Sequence, residues 1–201
     1  MKVNLLDIIP GYVYHIKDEF FEKVNDDKLM TNKEGGTYRP TYFCIRDEKT
    51  ALLWMIPMSS RVEKYESIYR QQMSRYGRCI TIVIGEYDGR RSAFLLQNMF
   101  PILPSYIDHI HTRNENAVPV HTDIQKILLR DYKAVKNLID RNIKIVFPDV
   151  GKIERLMLEE HGKEIAQNPP ESLTDRLEKA KQKSLDQKKA NLISQRDVPV
   201  K

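Results

Sequence analysis

Two adjacent hydroxyls followed by a guanidinium, Ser59-Ser60-Arg61, are the residues whose order best suits chemistry on an anion. Neutral hydroxyls donate and accept hydrogen bonds but do not ionise near pH 7, so they need a charged neighbour. Arg61 supplies one directly, and Arg39 opens the apolar run that leads up to them. Imidazoles form a second group: His109 and His111 share one face if their segment is extended, and His121 follows after a loop. An imidazole titrates near neutral pH and can serve as a general acid or base. No acidic or thiolate partner stands at metal-ligand spacing beside these histidines, so no metal centre is expected. A third group interleaves rings with cations. Tyr12, Tyr14, Tyr38, Tyr42, Tyr65, Tyr69 and Tyr76 share the N-terminal half with Arg39, Arg46, Arg61, Arg70, Arg75 and Arg78. Stacking rings beside guanidiniums suit single-stranded RNA. Tyr65 and Tyr69, at helical spacing, are better explained as core.

The elements around the hydroxyls would hold them still. Residues 38–61 read as two strands and a tight turn: 41–46 is β-branched and aromatic, 47–50 polar, and 51–58 nearly all apolar. Pro57 should end the second strand, because proline lacks the N–H a central strand donates. Ser59, Ser60 and Arg61 then emerge where a packed sheet gives way to a loop, exposed yet supported. Ser60 with Glu63 also fits a capping box, and a helix starting there would turn N–H groups toward a phosphate. Residues 62–76 carry Val62, Tyr65, Ile68, Tyr69 and Met73 at helical spacing, with Gly77 to close the helix. Upstream, 11–16 alternates as a strand, 17–24 is a short helix, and 25–37, with Gly35-Gly36, is a loop. Downstream, 79–85 reads as a strand covered on both faces, and Asp88-Gly89 signals a hairpin returning through 92–96. Residues 98–103 extend that strand or form another, 106–119 is irregular, 122–139 is an amphipathic helix, 144–147 a strand and 153–158 a small helix.

These elements predict an α+β fold: about five or six short strands in a compact twisted antiparallel sheet or small barrel, with inserted helices. Beyond residue 160 the composition shifts. A linker with Pro169-Pro170 leads into 173–193, rich in Lys, Gln, Glu and Ala with leucines too sparse to bury a helix. Residues 1–160 are therefore expected to form one domain and 161–201 a linker and a charged tail, helical or disordered.

Composition removes several classes of function. The 201 residues are 41% hydrophobic with a mean hydropathy of −0.53. No run is long and apolar enough to span a bilayer, and Pro10 interrupts the N-terminal stretch too early for a signal peptide, so a cytoplasmic protein without membrane contact is expected. Cys44 and Cys79 sit in apolar strand-like settings and suit buried thiols rather than a zinc or disulfide framework. No Walker loop, GxGxxG, HExxH, CxxC or GxSxG occurs. The net charge of +5 permits nucleic-acid contact without demanding it, since residues 1–160 are close to neutral and any basic patch there must come from arrangement.

The order GYVYHIKDEFFEKV, RPTYFCI, LLWMIPMSSR, the TIVIG hairpin and the 122–139 helix resembles the toxins of type III toxin–antitoxin systems, the ToxN/AbiQ/CptN group, over roughly residues 11–158. The resemblance implies a MazF/PemK-like fold and a cytoplasmic, metal-independent endoribonuclease without cofactor. It makes Ser59 and Ser60 active-site hydroxyls and places Arg39 where the group has a basic residue, lysine in some members. It matches Arg61 or Lys64 to the basic residue after the hydroxyls. Arginine at 39 shifts the role there from proton transfer toward charge stabilisation. Tyr12, Tyr14, Tyr38, Arg46 and Arg78 would contact RNA. The RNA's own 2′-OH would attack the neighbouring phosphorus, leaving a 2′,3′-cyclic phosphate and a 5′-OH, with cellular or phage RNA as substrate. A small repeated antitoxin RNA would inhibit the toxin within a protein–RNA hetero-oligomer. The alternative expectation is a non-catalytic nucleic-acid-binding module of a mobile element or phage.

Overall fold

The computed structural model describes residues 8–30, 33–34, 37–38, 42–47, 49–167 and 181–182, and every structural statement below concerns these. The chain divides into two compact units, Met1–His161 and Gly162–Lys201. In the second, only the end of one helix and the helical pair 181–182 are described, so the 173–193 tail lies largely outside the described residues.

The first unit is α+β. Its elements run β1 (Val13–Ile16), α1 (Asp18–Val24), β2 (Lys33–Glu34), β3 (Thr37–Tyr38), β4 (Tyr42–Arg46), β5 (Leu53–Ser59), α2 (Val62–Tyr76), β6 (Ile82–Tyr87) and β7 (Arg90–Leu95). They continue with β8 (Phe100–Ile102), β9 (Ile107–Ile110), β10 (Thr112–Arg113), β11 (Asn116–Ala117), α3 (Thr122–Asp140) and α4 (Val150–Gln167). Seven strands form one antiparallel sheet in the order β6-β7-β5-β4-β1-β9, with β8 also pairing β5. The sheet is open. Among the described residues β6 pairs only β7 and β9 pairs only β1, so the edges do not meet and the barrel alternative is corrected.

β5 is the central strand. It pairs β4 through Leu53–Pro57, β8 through Leu53–Met55, and β7 through Met58 and Ser59. Pro57 does not stop it, contrary to expectation. The proline sits at the step where β5 exchanges β8 for β7, a position where a missing N–H interrupts neither ladder.

Alternation along the strands sorts the core onto two faces. Tyr14, Ile16, Tyr42, Cys44, Leu53 and Met55 pack against Phe20 and Val24 of α1 and against Ile153 and Met157 of α4. Val13, Phe43, Trp54, Ile56, Met58 and Phe94 pack against Leu128, Tyr132 and Val135 of α3. A smaller cluster joins Ile82, Ala93 and Leu95 to Tyr65 of α2. Asp88 (φ 50°) and Gly89 (φ 71°) make the expected hairpin turn, and Gly77 (φ 69°) closes α2, its N–H donating to the Met73 carbonyl. Further expectations change. Residues 106–119 are not irregular but hold β9, which joins the main sheet against β1, and the β10–β11 hairpin; the expected 25–37 loop contains β2 and the start of β3. Residues 144–147 are not a strand, and the last helix is far longer than 153–158 because α4 buries an apolar side on the sheet.

Candidate active site

Ser59 is the last residue of β5, opposite Ala93, and α2 begins three residues later. The half-buried Ser59 hydroxyl accepts the Arg61 N–H at 3.2 Å, and the Ser60 carbonyl accepts the Val62 N–H at 2.9 Å. These two bonds turn the chain from strand into helix within two residues. They replace the expected capping box: Arg61, not Ser60, is the N-cap of α2, and no side chain caps the helix. Ser60, Arg61 and Lys64 are exposed around that first turn, with Lys64 Nζ 5.6 Å from the Tyr65 ring. The end of β5 and the first turn of α2 thus carry two hydroxyls and two cations at one corner.

Sequence reasoning missed a further cation there. Alternation along β7 puts Arg91 on the same face as Ala93, the residue opposite Ser59. Arg91 donates to Glu66 of α2 at 3.1 Å, and Arg70 approaches the same carboxylate at 3.4 Å. The Arg91 hydrogen bond, with both guanidiniums nearby, holds the Glu66 carboxyl below the usual range. The Asp-Gly turn gave the signal for the position of Arg91 on its hairpin, but not for the pairing of β7 with β5.

Other sequence candidates scatter. Arg39 lies outside the described residues. Tyr38 pairs with Lys33 through the backbone of β3. Tyr14 is a core residue whose hydroxyl donates to the Ile9 carbonyl and accepts the Ile9 N–H, so its ring and polar end face the interior. Tyr12 is half-buried and bridges Pro119. Arg46 is exposed at the end of β4, its guanidinium 3.5 Å from the Ile8 carbonyl. Arg78 is exposed just beyond α2.

The imidazoles assemble elsewhere. His109 and His111 do converge, on His15 of β1, which sequence reasoning did not single out. His15 stacks on His109 with ring centroids 4.2 Å apart, and its Nε2 lies 3.2 Å from His111 Nδ1. Asp88 Oδ2 is 3.9 Å from His111 Nε2, while Asp88 Oδ1 accepts from Arg113 at 2.9 Å. Burial first, then the neighbouring His109 and His111, lowers the His15 pKa to about 4. His15 follows Val13 on the α3 face, whereas Ser59 follows Met58 onto the opposite face, so the cluster does not line the Ser59 corner. His121 stands apart as the N-cap of α3, accepting the Asp123 N–H. Among the described residues no group of three or more His, Cys, Asp or Glu is disposed to hold a metal ion. Burial pushes the Cys44 thiol up to about 12, which makes it a core group rather than a nucleophile. No helix among the described residues is long and apolar enough to cross a membrane.

No protein-family model and no curated protein matches the sequence. Solved structures do match. A protein from a bacterial antiviral system regulated by a processed non-coding RNA aligns with a TM-score of 0.51 and 13% identity, over 72% of this chain and 95% of its own. AbiQ, a lactococcal anti-phage endoribonuclease of a type III toxin–antitoxin system, aligns with a TM-score of 0.45 and 11% identity, over 75% and 98%.

Proposed function

Sharing its fold with a protein of an RNA-regulated antiviral system, the chain is, we propose, the endoribonuclease toxin of a type III toxin–antitoxin or phage abortive-infection system. The observation that carries this reading is the corner itself. Ser59 and Ser60 stand between a central strand and an uncapped helix, with Arg61 and Lys64 at that helix's first turn and Arg91 on the neighbouring strand, bound to Glu66 of the same helix.

A corner of hydroxyls and cations suits phosphodiester cleavage by the RNA's own 2′-OH, which needs alignment and charge stabilisation but no covalent enzyme intermediate. In the proposed step Ser59 orients the 2′-OH, which loses its proton to water as its oxygen bonds phosphorus. The bond from phosphorus to the 5′-oxygen breaks, and Lys64 returns a proton to that oxygen. Ser60 and Arg61 hold the phosphoryl oxygens, joined by Arg39 as the resemblance assigns it. The products are a 2′,3′-cyclic phosphate and a 5′-OH. No metal ion takes part in this scheme, and a repeated small antitoxin RNA occupies the same surface in a cytoplasmic protein–RNA assembly.

Induced expression in a bacterial host, wild type beside Ser59→Ala/Ser60→Ala, tests the reading. Growth arrest with new 5′-OH RNA ends in the wild type alone supports it. Soluble, folded protein that neither arrests growth nor creates ends favours a non-catalytic RNA-binding module.

A further inference from the structure

A cleft opens at the far end of α2. It has a volume of about 580 Å³, within the usual range for ligand sites of roughly 300–1,000 Å³. Its walls come from the last turns of α2 and from the segment between α3 and α4.

Three cations line it, Arg75, Arg78 and Lys144, and no carboxylate does. Two aromatic rings stand at its rim, Tyr76 63% and Phe147 52% exposed. Single exposed rings are ordinary, but two in one cleft make a shared apolar surface of the kind that marks an interaction site. A neighbour steadies the Tyr76 ring, and a backbone bond fixes the chain at Phe147. The Arg75 guanidinium carbon lies 5.2 Å from the Tyr76 ring centroid, and the Phe147 N–H donates to the Gln97 carbonyl at 2.8 Å. Gly77, left-handed at the helix end, turns the chain so that Tyr76 and Arg78 line the same cleft. The lining mixes apolar and polar groups: Ile68, Ile80, Leu138 and Ile145 stand beside Gln72, whose Oε1 accepts the Thr81 hydroxyl at 3.0 Å and leaves its amide N–H₂ as a donor group for a base edge.

We propose that this cleft binds a nucleotide of single-stranded RNA, its base against Tyr76 or Phe147 and its phosphates on Arg75, Arg78 and Lys144. The inference rests on the RNA-cleaving role proposed for the chain. Rings at a rim with cations beside them are what single strands require, whereas a duplex hides its base faces. At 1.5 Å per residue, Arg75 lies ~21 Å along the helix from Arg61. The cleft is thus a second contact, engaged by an RNA long enough to reach past the cutting corner.

The test uses the full chain in the Ser59→Ala/Ser60→Ala background, with a fluorescent single-stranded 12-nucleotide RNA read by anisotropy over a salt series. Tyr76→Ala should weaken binding about tenfold, as loss of one stacked base does. Arg75→Ala/Arg78→Ala should weaken it further and flatten the salt slope by about 1.4, about 0.7 per phosphate contact on a single strand. Photocrosslinking of an iodouridine-substituted strand to Tyr76 or Phe147 supports the site independently of affinity. RNA binding by the background chain that both sets of substitutions leave unchanged overturns the cleft while sparing the proposed activity. Failure of the wild-type chain to bind an uncleavable 2′-O-methyl version of the same strand overturns both. Equal binding of a matched DNA duplex, lost in the same variants, overturns the single-strand assignment.

Discussion

His15 Nε2 and His111 Nδ1 lie 3.2 Å apart, joining β1 to the chain just beyond β9 through two imidazoles. At that distance one nitrogen donates and the other accepts, so neutral rings hold the contact and a doubly protonated pair breaks it. His109 stacks on His15, with Asp108, Asp88, Arg113 and Tyr87 as the other polar neighbours of the group. The folded pKa of His15, about 4, lies below the ordinary histidine value of 6.5. Between the two values the unfolded chain binds a proton that the folded chain does not. Stability is therefore complete above about pH 6.5 and falls as the pH drops toward 4. Discounted for a half-exposed group, the loss is about 1–2 kcal/mol. Unfolding midpoints from pH 7 to 4.5 should fall more steeply for the wild type than for His15→Gln. Parallel curves would exclude the imidazole pair as their cause.

Gly11 sets up β1. It has φ 84°, and its carbonyl accepts the Val120 N–H. A Cβ added there would lie 2.5 Å from Gln125 Nε2, which itself donates to the Val120 carbonyl at 2.7 Å. The amide cannot retreat without breaking that bond. Gly11→Ala should cost about 2 kcal/mol or more and lower the midpoint by roughly 5–10 °C. A midpoint unchanged in calorimetry would contradict the close approach.

Glu160 anchors α4. The buried Tyr106 hydroxyl lies 2.9 Å from both Glu160 carboxylate oxygens, and Lys23 Nζ is 2.6 Å away. Removing the carboxylate strands a largely buried hydroxyl, at a cost of about 1–3 kcal/mol, whereas Lys23 is an exposed partner worth about 0–1 kcal/mol. Glu160→Ala should therefore destabilise more than Lys23→Ala in urea unfolding. The reverse order would show that the ion pair, not the tyrosine bond, holds the helix.

What the sequence revealed depended on how local each signal was. The β4–β5 hairpin, α2 with its Gly77 stop and the Asp88-Gly89 turn were all legible, because neighbouring residues set them. Long-range pairings were not. Nothing local showed that β5 would pass from β8 to β7 at Pro57, which lets the strand run on to Ser59 and sets β7, which carries Arg91, beside it. The pairing of β1 with β9 was equally hidden, so His109 and His111 were visible while their partner His15 was not. Tyr14 shows the limit of composition: its ring looked available for stacking, yet strand parity places it in the core.

Cleavage by the purified chain tests the central claim most directly. Wild type and Ser59→Ala/Ser60→Ala would be incubated with single-stranded RNA in excess EDTA, and product ends would be analysed by mass. The account predicts 2′,3′-cyclic phosphate and 5′-OH ends from the wild type. It predicts a loss of at least about 100-fold in the double variant. The variant should stay folded, its unfolding midpoint falling by no more than about 5 °C, since the Arg61 N–H bond to the Ser59 hydroxyl is the contact it loses. Undiminished cleavage by the folded double variant would contradict the assignment of the Ser59–Ser60 corner.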